Sequence, residues 1–297
     1  MHSKTKTAYI LLFQFMMILP EVLFSESIAI KSVQISHVGG PGQISVNAPE
    51  KVYQVLKDEY KFFPAGIGYI EKTLQAEGES PHIFWLATSE TEMISVLRQG
   101  VKLSEKKIIL NSLRRRSYSD AVNTVILTGD PPDVSRMFRF VFSQSALHVM
   151  DKSEFYSKEK KIPWFYYGFS SYIGFQAAQT ARGEETAKTD VLFKEYYASF
   201  YKHKVSKDFS LPSDQSSWSE AYRKDPSGAF AEISLAYLYF NQKYGLAKAV
   251  ELFRKYNETG KFPNSFKEVT GDSYEKFLSS LNKEFPAETA KVPEEKK

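Results

Sequence analysis

Two stretches of the chain decide its fold: FVFSQSALHV at Phe140–Val149 and IPWFYYGFSSY at Ile162–Tyr172. The first belongs to a segment in which apolar side chains recur every three or four residues, as on one face of a helix. His148 lies on that apolar face, where a single histidine is usually a core residue whose ring a neighbouring group satisfies. The second stretch predicts another helix, which runs towards Thr180.

Residue spacing connects the two predicted helices. The second has the pattern Trp-x-x-Tyr-Gly-Phe-Ser-x-Tyr from Trp164 to Tyr172, and Tyr167 follows His148 with 18 residues between them, 149–166. These features resemble the active-site helices of gluzincin metallopeptidases, the group that includes aminopeptidase N and peptidase-MA-like domains. In that family one helix carries His-Glu-x-x-His. After the same interval the next helix carries a ligand Glu, in the pattern Trp-x-x-Glu-Gly-Phe/Leu-Ala-x-Tyr.

The chain departs from the family pattern at the positions that carry the chemistry. His148 stands at the second zinc-ligand position, but Gln144 replaces the first His, Ser145 the catalytic Glu, and Tyr167 the ligand Glu. In the family, histidines four apart share one helix face and grip a zinc ion, while the Glu takes a proton from the metal-bound water. The resemblance therefore implies a zinc-peptidase scaffold without its zinc.

Elementary chemistry explains why these substitutions matter. The neutral amide of Gln144 is a poor substitute for imidazole, and the phenol of Tyr167, with a reference pKa of about 10, is a weak ligand at neutral pH. The alcohol of Ser145 has no basic form near neutrality. We therefore expect no catalytic residue and no cofactor at Gln144, Ser145, His148 and Tyr167. We also expect a Tyr167–His148 hydrogen bond in the space that a metal would fill.

Composition sets the outer limits of function. The chain has 297 residues, 42% hydrophobic and 15% aromatic, which is enough for a packed core. A formal net charge of +4 is too small to indicate nucleic acid or an anionic membrane as a partner. Cysteine is absent, so disulfides, thiolate metal sites and cysteine nucleophiles are excluded.

The N-terminus has the features of a secretory signal peptide over residues 1–27. Lys4 and Lys6 precede an apolar stretch over 8–19, Pro20 interrupts it, and Ser25 and Ser27 then form a small-x-small cleavage pattern. An uncleaved anchor is disfavoured, because spanning a bilayer needs about 20 apolar residues. We expect an exported chain, periplasmic or extracellular, with no integral membrane span after cleavage.

The order of elements predicts an α+β protein with two lobes and a charged tail. A small mixed β-sheet with helices is expected over 28–132, a mainly helical lobe over 133–285, and a disordered tail over 286–297. Strands are predicted from alternating or continuous apolar runs within 28–46 and at 82–87, 107–111 and 122–128. Residues 206–226 are expected to form an irregular loop. This order over about residues 28–285 is similar to that of the gluzincins. The specific part of the resemblance lies at 144–172 and, more weakly, at 244–285.

Two groups of side chains are candidates for the walls of a cleft. The first is aromatic and lies in the second motif, at Trp164, Tyr166 and Tyr172. The second is the run Arg114, Arg115 and Arg116, which could hold a carboxylate or phosphate. Exposed basic runs are common, so a solvated loop is the preferred interpretation of the arginines.

Three functional hypotheses follow. The preferred hypothesis is an exported pseudopeptidase. It would bind a peptide or protein in the cleft that corresponds to the active site of a peptidase, or serve as a structural module. The second is an active hydrolase in which Ser143 or Ser145 is paired with His148, although no nucleophile-elbow sequence accompanies them. The third is a metal site rebuilt from His148 with one of three other histidines: His37, His82 or His203.

Overall fold

The computed structural model of the chain describes residues 30–36, 43–76, 82–120, 122–129, 133–152, 161–201, 209 and 211–289. The predicted signal peptide over 1–27, His37, His203 and residues 290–297 of the predicted tail lie outside these ranges. The strands are β1 Ile30–Ser36, β2 Gln43–Pro49, β3 His82–Ala87, β4 Ser117–Ser119 and β5 Asn123–Leu127.

The helices follow and separate these strands. In the N-terminal part they are α1 Glu50–Leu56, α2 Phe63–Leu74, α3 Glu90–Ser95 and α4 Lys106–Arg115. In the C-terminal part they are α5 Val134–Lys152, α6 Pro163–Ala181, α7 Thr189–Tyr201, α8 Gln215–Lys224, α9 Pro226–Tyr244, α10 Leu246–Thr259, α11 Phe262–Thr270 and α12 Tyr274–Thr289.

The sheet is small and mixed, as predicted, which confirms the α+β class. Its strand order is β1-β2-β3-β5-β4, with parallel pairs in the middle and an antiparallel pair at each edge. β3 alternates between two faces because successive strand residues point to opposite sides. Phe84 and Leu86 enter the main core, while Trp85 packs against a smaller core under α3 and α4.

Helix α6 lies at the centre of the helical region. Its sequence is apolar or small on every side, and a helix of that kind is stable only when it is surrounded. It packs against α2, α5, α7 and α9. The main core that surrounds it also contains sheet residues such as Val46 and Phe84, so one core joins residues of both predicted lobes. None of the helices within the described ranges combines the length and apolarity needed to cross a bilayer.

Two local predictions were wrong. Residues 107–111 are helical, as part of α4, because Ile109 and Ser112 are buried three residues apart while Leu110 is exposed. The predicted loop 206–226 contains helix α8, which begins where the Asp214 carboxylate accepts a hydrogen bond from the Ser217 N–H at 2.8 Å. The last helix continues to Thr289 and overlaps the first residues of the predicted disordered tail.

A glycine allows α5 and α6 to approach closely. A Cβ atom added at Gly174 would lie 2.4 Å from the Ser143 nitrogen and 2.6 Å from the Ser143 Cα, and backbone atoms cannot move aside as a flexible side chain can. The close approach fixes how the helix carrying Gln144 and His148 lies against the helix carrying Tyr167.

We expect Gly174→Ala to destabilise the protein, although alanine favours an isolated helix by about 1 kcal/mol. Overpacking costs up to about 3 kcal/mol, so the net loss should be about 2 kcal/mol. For a chain of this size that lowers the Tm by about 3 °C, measurable by thermal denaturation. Glu195→Ala, at an exposed position of α7, should leave the Tm unchanged. A Tm that rises in Gly174→Ala would contradict the close packing.

Candidate functional site

Three of the four sequence-predicted motif positions meet in one cavity of about 800 Å³. Gln144 and His148 reach it from α5, and Tyr167 reaches it from the N-terminal part of α6. The other side chains that form its walls come from α5, α6, β3, α4, β4, α8, α9 and residues that flank them: His82, Ile108, Asn111, Ser112, Arg115, Ser117, Tyr118, Ser119, Asp120, Leu147, Asp151, Lys161, Tyr166, Gln215, Trp218, Ser219, Tyr222 and Phe230.

Helical periodicity decides which residues of α5 face the cavity. Gln144, His148 and Asp151 lie on one side, at spacings of four and three. Ser145 is buried on another side, and its hydroxyl donates to the Val141 carbonyl at 2.9 Å. The position of the family's catalytic Glu therefore holds a hydroxyl that bonds to its own helix.

The ring of His148 forms a hydrogen bond with the ring of His82, the first residue of β3. Their Nδ1 atoms lie 3.1 Å apart, so one ring donates and the other accepts. His82 also reaches Thr124 on β5, with Nε2 and Oγ1 3.0 Å apart. Both histidines are buried. This chain of hydrogen bonds joins helix α5 to two central strands of the sheet.

Tyr167 has partners other than the one expected. Its ring stacks on Trp218, with ring centroids 5.1 Å apart and an angle of 29° between the planes. Burial raises the pKa of Tyr167 above its usual value, and nearby Asp151 acts in the same direction, against an opposing hydrogen bond with Gln215. The expected Tyr167–His148 pairing is replaced by contacts of Tyr167 with α8 and of His148 with the sheet.

The donor set does not fit the zinc site of the family. Gln144 offers a neutral amide, the phenol of Tyr167 is held in its protonated form, and the His148 ring is engaged with His82. No group of three or more His, Asp and Glu side chains suited to a metal ion occurs in the described parts of the chain. The hypothesis of a metal site built from His148 and another histidine finds its second imidazole in His82. No third His, Asp or Glu side chain suited to the same metal accompanies the pair within those parts.

The serine hydroxyls do not form the alternative hydrolase site. Ser143 donates to the Arg139 carbonyl at 2.7 Å, and Ser145 donates to Val141. Each proton therefore points along the helix backbone, whereas a serine nucleophile needs its proton on a neighbouring base.

The predicted cleft aromatics divide between the cavity and the core. Tyr166 lines the cavity, and its hydroxyl donates to Asp151, which also pairs with Lys161 at 2.6 Å. Trp164 is fully buried in an aromatic core, with its ring centroid 5.5 Å from that of Phe277. Tyr172 is buried on the far side of α6 and donates to Asp190.

The predicted arginine run also divides. Arg115 lines the cavity, with its guanidinium carbon 5.6 Å from the centroid of the Tyr222 ring. Arg116 is exposed and ends α4 in a left-handed conformation with a φ of 58°. The side chain of Arg114 is outside the described part of the structure.

Sequence reasoning missed the aromatic wall formed by Trp218, Tyr222 and Phe230. Trp218 and Tyr222 lie four residues apart, on one face of α8, inside the segment that we predicted as a loop. Asp214 followed three residues later by Ser217 is a helix-start signal and could have revealed this helix.

Comparison with known proteins supports the fold alone. An aminopeptidase N family protein from Idiomarina loihiensis has a similar crystal structure, with a TM-score of 0.53 and 11% sequence identity. The similarity covers 85% of this chain and 46% of that chain, so the chain spans about half the length of this neighbour. No protein-family model and no curated protein matches the chain. The fold is thus peptidase-like, in agreement with the resemblance found in the sequence.

We expect the two histidines to be energetically coupled. His82→Phe and His148→Phe should each lower the free energy of unfolding by about 1–3 kcal/mol, because the remaining buried imidazole loses a hydrogen-bond partner. The double variant should be less destabilised than the sum by about 1 kcal/mol. Urea denaturation of the four proteins measures this coupling, and strictly additive losses would contradict it.

Proposed function

We propose that this chain is an exported, peptidase-like protein without peptidase activity, whose cavity binds an extended peptide segment. The peptidase-like fold supports the scaffold. The absence of activity is inferred from Gln144, Ser145 and Tyr167, which cannot supply the ligands and general base of a zinc peptidase. Export is inferred from the signal-peptide features of residues 1–27.

The observation that carries the peptide assignment is the edge strand in the cavity wall. β4 is the last strand of the sheet and pairs with β5 on one side. The Arg116 carbonyl accepts from the Leu127 N–H, and the Asp120 N–H donates to the Asn123 carbonyl. Because strand residues alternate, the main-chain groups of Ser117 and Ser119 point away from β5. Edge groups of this kind can pair with an added peptide strand.

The opposite walls suit the side chains of such a peptide. Trp218, Tyr222 and Phe230 offer flat apolar faces, which gain free energy by covering other apolar surface. Gln144 and Asn111 offer amide donors and acceptors. The carboxylate Asp120 is already held by the N–H groups of Val122 and Asn123, at 2.8 and 2.7 Å. The cavity therefore combines a main-chain edge with apolar and neutral polar walls.

Ser119→Pro tests the edge strand directly. Proline lacks the N–H that would donate to an added strand, but it is tolerated at an edge position whose N–H faces away from the sheet. Peptides that bind the natural chain are first selected from an array of random twelve-residue peptides. We expect the variant to fold and to bind these selected peptides more weakly. Binding should weaken by about tenfold or more in fluorescence titrations.

Ser119→Ala is the matched control, because it removes the hydroxyl that lies 3.1 Å from that of Thr124 and keeps the N–H. It should bind the selected peptides like the natural chain. Unweakened binding by Ser119→Pro would remove β4 from the proposal, and a natural chain that selects no peptide would overturn peptide binding altogether.

Metal content tests the loss of the zinc site. After mild dialysis, we expect elemental analysis to find no stoichiometric metal in the natural chain. The triple variant Gln144→His, Ser145→Glu and Tyr167→Glu should take up about one zinc per chain, because it restores the missing ligands and base. Tight stoichiometric zinc in the natural chain would contradict the proposal.

A further inference from the structure

A second cavity, of about 200 Å³, continues the first along helix α5. The two share Gln144, Leu147, Tyr222 and Phe230 in their walls, so Gln144 stands at the junction. Arg136, Arg139, Phe140 and Ser143 extend the same side of α5 into the second cavity. A ligand that lies along β4 could therefore place one side chain or its end beyond Gln144.

Aromatic rings hold Arg139 in place in this second cavity. Its guanidinium carbon lies 4.6 Å from the ring centroid of Phe175 and 4.7 Å from that of Tyr196. These two ring contacts restrict where the guanidinium can lie and leave part of its N–H edge for other acceptors. A donor group that is already restricted loses less entropy when a ligand binds.

The second cavity has two arginines in its described walls and no Asp or Glu. Arg136 precedes Arg139 by three residues and therefore lies on the same side of α5. Throughout the described ranges, neither arginine forms an ion pair with an Asp or Glu. In the first cavity Lys161 is paired with Asp151, and Arg115 packs against the Tyr222 ring. A carboxylate is the planar anion that matches a guanidinium edge with two parallel hydrogen bonds.

We propose that the second cavity binds a carboxylate of the peptide that occupies the first, with Arg139 and Arg136 as its donors. This inference rests on the proposed peptide-binding function and adds a preference for an acidic residue or a free C-terminus at one position. Gln144 holds the ligand where it passes between the two cavities. Tyr196 and Phe140 cover the apolar part of the side chain that carries the carboxylate.

An array of random twelve-residue peptides, each with a free and an amidated C-terminus, tests this assignment with the natural full chain. We expect the bound peptides to share Asp or Glu, or a free C-terminus, at one fixed position. Replacing that residue by Asn or Gln, or amidating that terminus, should weaken binding about tenfold or more. Arg136→Gln together with Arg139→Gln should bind the acidic and neutral peptides equally.

Arg98→Gln, an exposed arginine remote from both cavities, is the matched control and should keep the preference. If the double variant fails to fold, Arg136→Gln alone replaces it in the test, because this position is exposed. The single variant should show a weaker preference for acidic peptides. Sensitivity to amidation would assign the carboxylate to the C-terminus, and insensitivity would assign it to a side chain.

Two results would overturn the carboxylate site while leaving peptide binding intact. One is a natural chain that binds peptides in a Ser119→Pro-sensitive way without any acidic preference. The other is a folded double variant that keeps the preference. A natural chain that binds no peptide would overturn both the carboxylate site and the proposed function, so the two failures are distinguishable.

Discussion

The burial of helix α6 on all sides is the constraint on which the rest of the structure depends. A helix with no polar face must be covered by neighbours, and here α2, α5, α7 and α9 provide the cover. Small residues set how close these neighbours come. At Gly168 an added Cβ would lie 2.6 Å from the Ile233 carbonyl oxygen of α9, and Gly174 has the same role towards α5. Both contacts fix the rotation of α6 about its own axis.

That rotation determines which motif residues can be functional. Trp164 points into the aromatic core, Tyr172 points towards α7 and Asp190, and Tyr166 and Tyr167 lie at the cavity. The cavity lies between the C-terminal half of α5 and the N-terminal part of α6, and the edge strand β4 forms another wall. The cavity thus forms where α5 ends and α6 begins, beside the open edge of the sheet at β4. The packed helices give it rigid walls.

Local patterns predicted the features that depend on local spacing. The motif residues from Trp164 to Tyr172 fall within α6, as the helical pattern required, and Gln144, His148 and Tyr167 line one cavity. The apolar run at 107–111 was assigned to the wrong element, because a short run fits a buried strand and a helix equally well. The pairing of His82 with His148 spans 66 positions, and no local pattern specifies a contact between such distant residues.

His148 and Tyr167, at two of the positions that resemble gluzincin metal ligands, each have a partner in the structure. A buried imidazole without a metal needs another hydrogen-bond partner, and His148 has His82. A phenol in place of a carboxylate carries no charge, which suits a position beside Asp151 and against Trp218. A glutamate introduced alone at Tyr167 would bring a second carboxylate close to Asp151, with which Lys161 is already paired. We therefore expect zinc binding to need the three substitutions together.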